Sequence, residues 1–284
     1  MGGLLIVTTF ASHAQELRTW MHAETGDAWR LGYKGKGTSI TVVDDFAGTL
    51  RFFGQVRSYE EYMRHGEWTR LQAAMVAPSA KIFSQDFRAD RAVKLRKGRD
   101  VLNLSYGMMA AEGKESISWS KLESSIIAYA TDGRAAVVKA AGNDAVAVGS
   151  ATADGLVDYL NRDLIGKQAA IFVGALDDHG MTSKPASLAW YSNYSGSNET
   201  VQDRFLVVGV TGDSTGLYGT SFAAPIVSGY AAIVGSKFIK SNAIQITNQL
   251  LITARTDTIS GYSKALHGRG EVSISRALAP LSIK

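Results

Sequence analysis

From Gly32 to Lys284, short apolar runs alternate with longer stretches in which apolar side chains recur every three to four residues. The short runs Ser39–Val43, Lys81–Phe83, Val101–Ser105, Ala135–Lys139, Ala170–Val173 and Phe205–Val210 predict strands. The periodic stretches Tyr59–Ala77, Asp90–Lys97, Trp119–Thr131, Ser221–Ile239 and Ala243–Ala254 predict helices. Valine and isoleucine occupy consecutive strand positions instead of alternating with polar residues, as a sheet covered on both sides requires. The expected fold is therefore α/β: a three-layer, doubly wound, mostly parallel sheet with helices on both faces. No repeat or linker-like composition interrupts the pattern, so residues 28–284 are expected to form one domain behind an N-terminal extension, residues 1–27.

The bulk numbers narrow the function. With 284 residues, 45% of them hydrophobic, the chain can bury a sizeable core. A formal charge of +4 does not by itself indicate a nucleic-acid partner. The basic stretch Arg88–Arg99 lacks interleaved aromatic residues and reads as the solvated face of a helix. With no cysteine in the chain, a disulfide framework, a thiolate metal site and a cysteine nucleophile are all excluded. The apolar run Leu4–Ala11, followed by Ser12-His13-Ala14, has the look of a signal peptide over residues 1–14, although it lacks a basic start. Export to the periplasm, cell surface or medium is the expectation, with a cytoplasmic protein the alternative. No other run is long enough to span a membrane.

The chemistry concentrates in Gly219-Thr220-Ser221-Phe222-Ala223-Ala224-Pro225. Glycine allows a sharp approach to a helix, and Pro225 is expected in the first turn, where the amide it lacks has no intrahelical partner. Ser221 then sits among unpaired N–H groups at the positive end of the helix, a place able to bind a developing oxyanion. A bare N-cap serine is the competing reading. A nucleophile also needs a base and an orienting carboxylate. His65 precedes a helical pattern, and Asp44 closes the strand Ser39–Val43 at the sheet edge where α/β sites assemble. Asn143, after the strand Ala135–Lys139, offers a further oxyanion donor.

These segments, in this order, resemble the subtilisin-like serine proteases, the subtilases. Gly35–Asp44 resembles the aspartate segment, His65-Gly66 the start of the histidine segment, Ala140–Asp144 the asparagine segment and Gly219–Pro225 the serine segment. Val101–Gly107 resembles the strand that pairs with substrate. A narrower resemblance, to autotransporter-type subtilases, rests on Ile165–Asp177 and Trp190–Gly196. The resemblance implies a serine endopeptidase with Asp44, His65 and Ser221 as triad and Asn143 as oxyanion donor. Ser105, Tyr106, Gly107, Ala141, Gly142 and Thr220 would contact a protein or peptide substrate. It implies no cofactor beyond a structural calcium ion, for which no ligand cluster is evident, and a monomer that neither binds nucleic acid nor inserts in a membrane. Two departures stand out: Asp45-Phe46 follows Asp44 in place of Thr-Gly, and Glu67-Trp68 replaces Thr-His. They leave room for Asp45 as the orienting carboxylate and for an inactive subtilase acting as a peptide-binding or scaffold domain. A third reading, an α/β-hydrolase using His267 and Asp257, fits less well, because such an elbow wants glycine at Ala223.

Overall fold

The computed structural model describes residues 16–284. Its strands are β1 (Thr38–Asp44), β2 (Phe52–Gly54), β3 (Glu61–Met63), β4 (Lys81–Asp86), β5 (Arg99–Leu104), β6 (Met109–Ala111), β7 (Ala136–Ala140), β8 (Leu156–Asp158), β9 (Ala170–Leu176) and β10 (Phe205–Gly209). The helices are α1 (Ala23–Arg30), α2 (His65–Val76), α3 (Lys121–Asp132), α4 (Tyr159–Leu164), α5 (Glu199–Gln202), α6 (Gly212–Thr215), α7 (Thr220–Lys237), α8 (Ala243–Ile252), α9 (Lys264–His267) and α10 (Ile274–Leu278).

Six strands form one sheet in the order β10-β9-β7-β5-β1-β4, every pairing parallel. All six expected strands are present. Their residues alternate between two cores: Ile40, Val42, Val101 and Val138 pack on one face with α7, while Val43, Leu102 and Val137 pack on the other with Leu122 and Ile126 of α3. Burial on both faces is what the unbroken apolar runs encode. Helix α7 is itself buried almost all round, which suits an alanine-rich sequence without charge before its last residue, Lys237.

Two helix expectations are corrected. Residues 59–63 belong not to α2 but to the β2–β3 hairpin, with Phe53 paired to Tyr62. The stretch 90–97 forms no helix. Its backbone groups are satisfied from outside: Val93 N–H donates to Ser125 Oγ, Arg96 N–H to Asp100, and the Arg91 carbonyl accepts from Gln85 Nε2.

Helix α1 straddles the expected boundary at residue 27. Trp20, Met21 and Trp29 lie in the main core, and both indoles donate to main-chain carbonyls, of Val56 and Val76. Glu24 and Arg255 pair at 2.8 Å, joining this segment to the C-terminal part of the chain. The signal-like residues 1–14 lie outside the described residues. Among the described residues, no helix is long and apolar enough to cross a membrane.

Candidate active site

The carboxyl ends of β1, β5 and β7 lie side by side in the sheet and deliver Asp44, Ser105 and the segment Ala140–Asn143 to one edge. Open parallel sheets bind ligands at this edge. Helix α7 begins there with Thr220 and Ser221.

Asp44 is 1% exposed, and three donors surround its carboxylate. His65 Nδ1 lies 2.6 Å from Oδ1, the Asp45 N–H donates to the same oxygen at 2.6 Å, and Thr69 Oγ1 donates to Oδ2 at 2.8 Å. An ionised carboxylate only accepts, so the imidazole proton sits on Nδ1. Asp45 turns elsewhere: its Oδ1 accepts from Gly48 N–H at 2.6 Å and from Arg88 at 2.9 Å. The Arg88 guanidinium holds the Asp45 carboxyl below its ordinary range. Of the two adjacent carboxylates, Asp44 is therefore the one that meets the imidazole.

His65 is the first residue of α2, and its neighbours explain both the match and the departure in its motif. Gly66 carries no Cβ because one would stand 2.8 Å from the Asp45 carbonyl and 3.0 Å from the Phe46 ring. Without one, Gly66 N–H donates to that carbonyl at 3.1 Å. Glu67 accepts from the Arg64 backbone N–H at 2.7 Å and from the Arg64 guanidinium at 3.0 Å, closing the helix start. The imidazole packs between Phe52 of the hairpin and Phe222, with ring centroids 5.7 and 5.4 Å away.

Phe222 follows Ser221 directly, so the His65 ring lies against the start of α7. The Ser221 hydroxyl, however, donates to the Ser105 carbonyl at 3.3 Å. In return Ser105 Oγ donates to the Ser221 carbonyl at 2.9 Å. This exchange corrects the expectation for Pro225. As the sixth residue of α7 it lies beyond the first turn, and its missing N–H would have served the Ser221 carbonyl. Ser105 supplies the lost donor. Behind it, Asn103 Nδ2 donates to Ser105 Oγ at 3.0 Å and Ser228 Oγ donates to Asn103 Oδ1 at 3.1 Å.

Asn143 Oδ1 accepts from Thr220 N–H at 2.8 Å and from Thr220 Oγ1 at 3.0 Å, which leaves its NH2 group to the cleft. Gly219, at φ 127°, makes the turn that brings Thr220 within reach, in a conformation that disfavours residues with a side chain. Gly142 N–H donates to Thr220 Oγ1 at 3.1 Å, and the Ala141 carbonyl accepts from Asn161 and Asn193, each at 3.0 Å. These bonds fix the segment that carries Asn143. Tyr106 stacks on Phe87 and donates to buried Glu123 at 3.1 Å. Burial, reinforced by Glu123, pushes its hydroxyl pKa far above the ordinary value.

Ser221, Asn143, Thr220, Gly107 and Tyr106 line one pocket of about 280 Å³. His267 and Asp257 do not join it. His267 bonds to Ser263 and stacks on Tyr262, and Asp257 pairs with Arg276. Thr69, Asn103, Ser228 and Lys139 take part in the site without having been singled out by sequence. Among the described residues, no cluster of three or more acidic or histidine side chains could hold a metal ion.

Comparison with known proteins bears on the family and the fold. The sequence model of the Subtilase family matches residues 71–270. That span holds Asn143 and Ser221 but stops short of Asp44 and His65. Mycosin-5 of Mycobacterium tuberculosis is 39% identical over 92 residues, covering 29% of this chain and 16% of that protein. Among solved structures, the prenylagaramide maturation protease PagA superimposes with a TM-score of 0.56 at 17% identity, covering 89% of this chain and 96% of its own. The MycP3 protease of a type VII (ESX-3) secretion system gives 0.55 at 19% identity, covering 90% and 86%. A lanthipeptide protease gives 0.55 at 19%, covering 91% and 93%. At such identities the structural likeness speaks for the fold alone. None of these three is described as an autotransporter.

Proposed function

This chain belongs to the subtilase family of serine peptidases, and from that premise we propose that it is an endopeptidase cutting protein or peptide chains through an acyl-enzyme on Ser221. His65 takes the Ser221 proton on Nε2 and later returns it to the leaving amine. Asp44 holds the tautomer and stabilises the imidazolium. One observation carries the reading: the 2.6 Å contact of His65 Nδ1 with the buried Asp44 carboxylate, which commits Nδ1 to the carboxylate and leaves Nε2 as the nitrogen to act as base. For attack, the Ser221 hydroxyl rotates about Cα–Cβ from the Ser105 carbonyl to the imidazole. That exchanges one neutral hydrogen bond for another, each worth about 1 kcal/mol, so the step is cheap. The oxyanion is received by the Asn143 NH2 and the Ser221 backbone N–H, which has no intrahelical partner in the first turn. An extended substrate runs along Ser105–Gly107, gaining affinity from its main chain.

The present aim of the Ser221 hydroxyl, at a carbonyl instead of the base, favours a second reading: an inactive subtilase that holds peptides. Labelling by a fluorophosphonate separates the two. Covalent labelling is expected in the wild type and in His267→Ala but not in Ser221→Ala. A folded wild type that takes no label would leave only the inactive reading. The run Leu4–Ala11 supports export, which N-terminal sequencing of the protein from cell fractions would test.

A further inference from the structure

The pocket beside Ser221 has an ionic floor. Lys139 lies on β7, in the interior of the sheet, with its side chain 2% exposed. Its ammonium donates to the Ala140 carbonyl at 2.8 Å and to Asp158 Oδ2 at 2.9 Å. Its third N–H has no partner among the described residues. Asp158 is the N-cap of α4, and its Oδ1 accepts from Met108 N–H at 3.0 Å and Leu160 N–H at 3.1 Å. Oδ2 faces the substrate strand: a Cβ on Gly107 would stand 2.9 Å from it. Asn161 lines the same pocket at 1% exposure. Its NH2 donates to the Ala141 carbonyl, while its Oδ1 accepts no bond among the described residues.

We propose that this pocket selects a carboxamide side chain, asparagine or glutamine, on the residue whose carbonyl Ser221 attacks. The inference rests on the protease reading above for where the scissile bond lies. At the floor the Lys139–Asp158 pair balances its own charges, with the exposed Asp144 carboxylate at the rim, and the floor offers one spare donor, on Lys139, and one unpaired acceptor, on Asn161. A carboxamide has an oxygen for the first and an NH2 for the second. A basic side chain would bring a second cation beside Lys139, and an acidic one a second anion beside Asp158. Like charges at such depth are strongly disfavoured. An apolar side chain would leave both polar groups unpaired, and sites built on hydrogen bonds reject such analogues by orders of magnitude.

The test uses peptides identical except for glutamine, asparagine, leucine, lysine or glutamate at that position. Their binding to the Ser221→Ala protein is measured by fluorescence anisotropy, and their turnover by the wild type. At least one carboxamide peptide is expected to bind tenfold or more tighter than the leucine, lysine and glutamate peptides. Lys139→Met, which leaves Asp158 unbalanced, should move the preference to lysine, and Asp158→Asn should move it to glutamate. Asn161→Leu should remove the advantage of the carboxamide and serves if either charge variant fails to fold. A leucine, lysine or glutamate peptide binding as tightly as the carboxamides, or an order unchanged in the folded variants, overturns the proposal. Selective binding without turnover overturns the protease reading instead and leaves the pocket assignment standing. Turnover without selective binding overturns the pocket alone.

Discussion

Thr69 is the least obvious part of the proposed machinery, and replacing it by valine isolates one bond. The two side chains have nearly the same shape, so Thr69→Val removes the hydroxyl with little change in packing. What is lost is the 2.8 Å donation to Asp44 Oδ2. Hydrogen bonds to a charged group contribute about 1.5–3 kcal/mol. Water cannot take the place of the donor, because Asp44 is 1% exposed. The other oxygen keeps its two partners, Asp45 N–H and His65 Nδ1, so the carboxylate stays in place with one side bare. The hydroxyl also lies 3.2 Å from the Gly66 carbonyl, a longer and neutral alternative that the variant loses as well. Urea unfolding should therefore show a loss of about 1.5–3 kcal/mol. If half of that bond is felt in the transition state, where Asp44 faces an imidazolium, kcat/KM falls roughly three- to tenfold. Thr69→Ser should restore both quantities. A loss below about 0.5 kcal/mol together with unchanged kcat/KM would refute the reasoning, since that is the range of substitutions at unimportant surface positions.

Two further outcomes are expected. Asn143→Ala should lower kcat by about 10²–10³ with little change in KM, the size that loss of one oxyanion donor has in subtilisin itself; an equal rise in KM with kcat intact would contradict the assigned role. The second concerns pH and the joint between α1 and the C-terminal part. Burial, then the neighbouring Arg255, depresses the pKa of His22 against the opposing pull of Glu24, Glu271 and Asp27. Burial likewise depresses His179, with the Trp20 carbonyl, Glu271 and Asp178 opposing it and His22 adding to it. In the unfolded chain both titrate near the ordinary value of about 6.5. Below that pH the unfolded state binds more protons, so their contribution is fully present above about 6.5 and is lost as pH falls through the lower folded values. The urea midpoint should drop between pH 7.5 and 5.5, and less so in His22→Gln/His179→Gln; an equal drop in both proteins would exclude these histidines.

How far the sequence reveals the molecule depends on burial. Five of the six strands were legible because both their faces are buried, which writes an unmistakable apolar run; edge strand β4 is half-exposed and showed only through the short run at Ile82-Phe83. The β2–β3 hairpin was not: its strands are three residues long, and Phe53 and Tyr62 remain exposed, so its residues blended into the helical pattern that follows. The stretch 90–97 carries helix-forming residues, but its backbone partners come from Ser125, Asp100 and Gln85, which no local pattern announces. At the candidate site, motifs singled out Asp44, His65, Asn143 and Ser221, and the structure sets His65 on Asp44 and Asn143 on Thr220, next to Ser221; the departure of the histidine motif at Glu67 is a helix cap. Lys139 had left a signal that went unused. A lysine inside a strand buried on both faces must meet a counter-charge, and Asp158 stands at a helix start well placed to supply one. The polar chain Ser228–Asn103–Ser105 left none, because its members are ordinary residues brought together only by the crossing of α7 over β5.

The central claim, that Asp44, His65 and Ser221 act as one unit, is tested most directly by a double-mutant cycle on peptide hydrolysis. Groups that act together lose nearly everything at the first removal. Ser221→Ala and His65→Ala should each abolish nearly all turnover, and the double variant should be no slower than either single one. Losses that multiply in the double variant, or a His65→Ala protein that cuts as fast as the wild type, would contradict it.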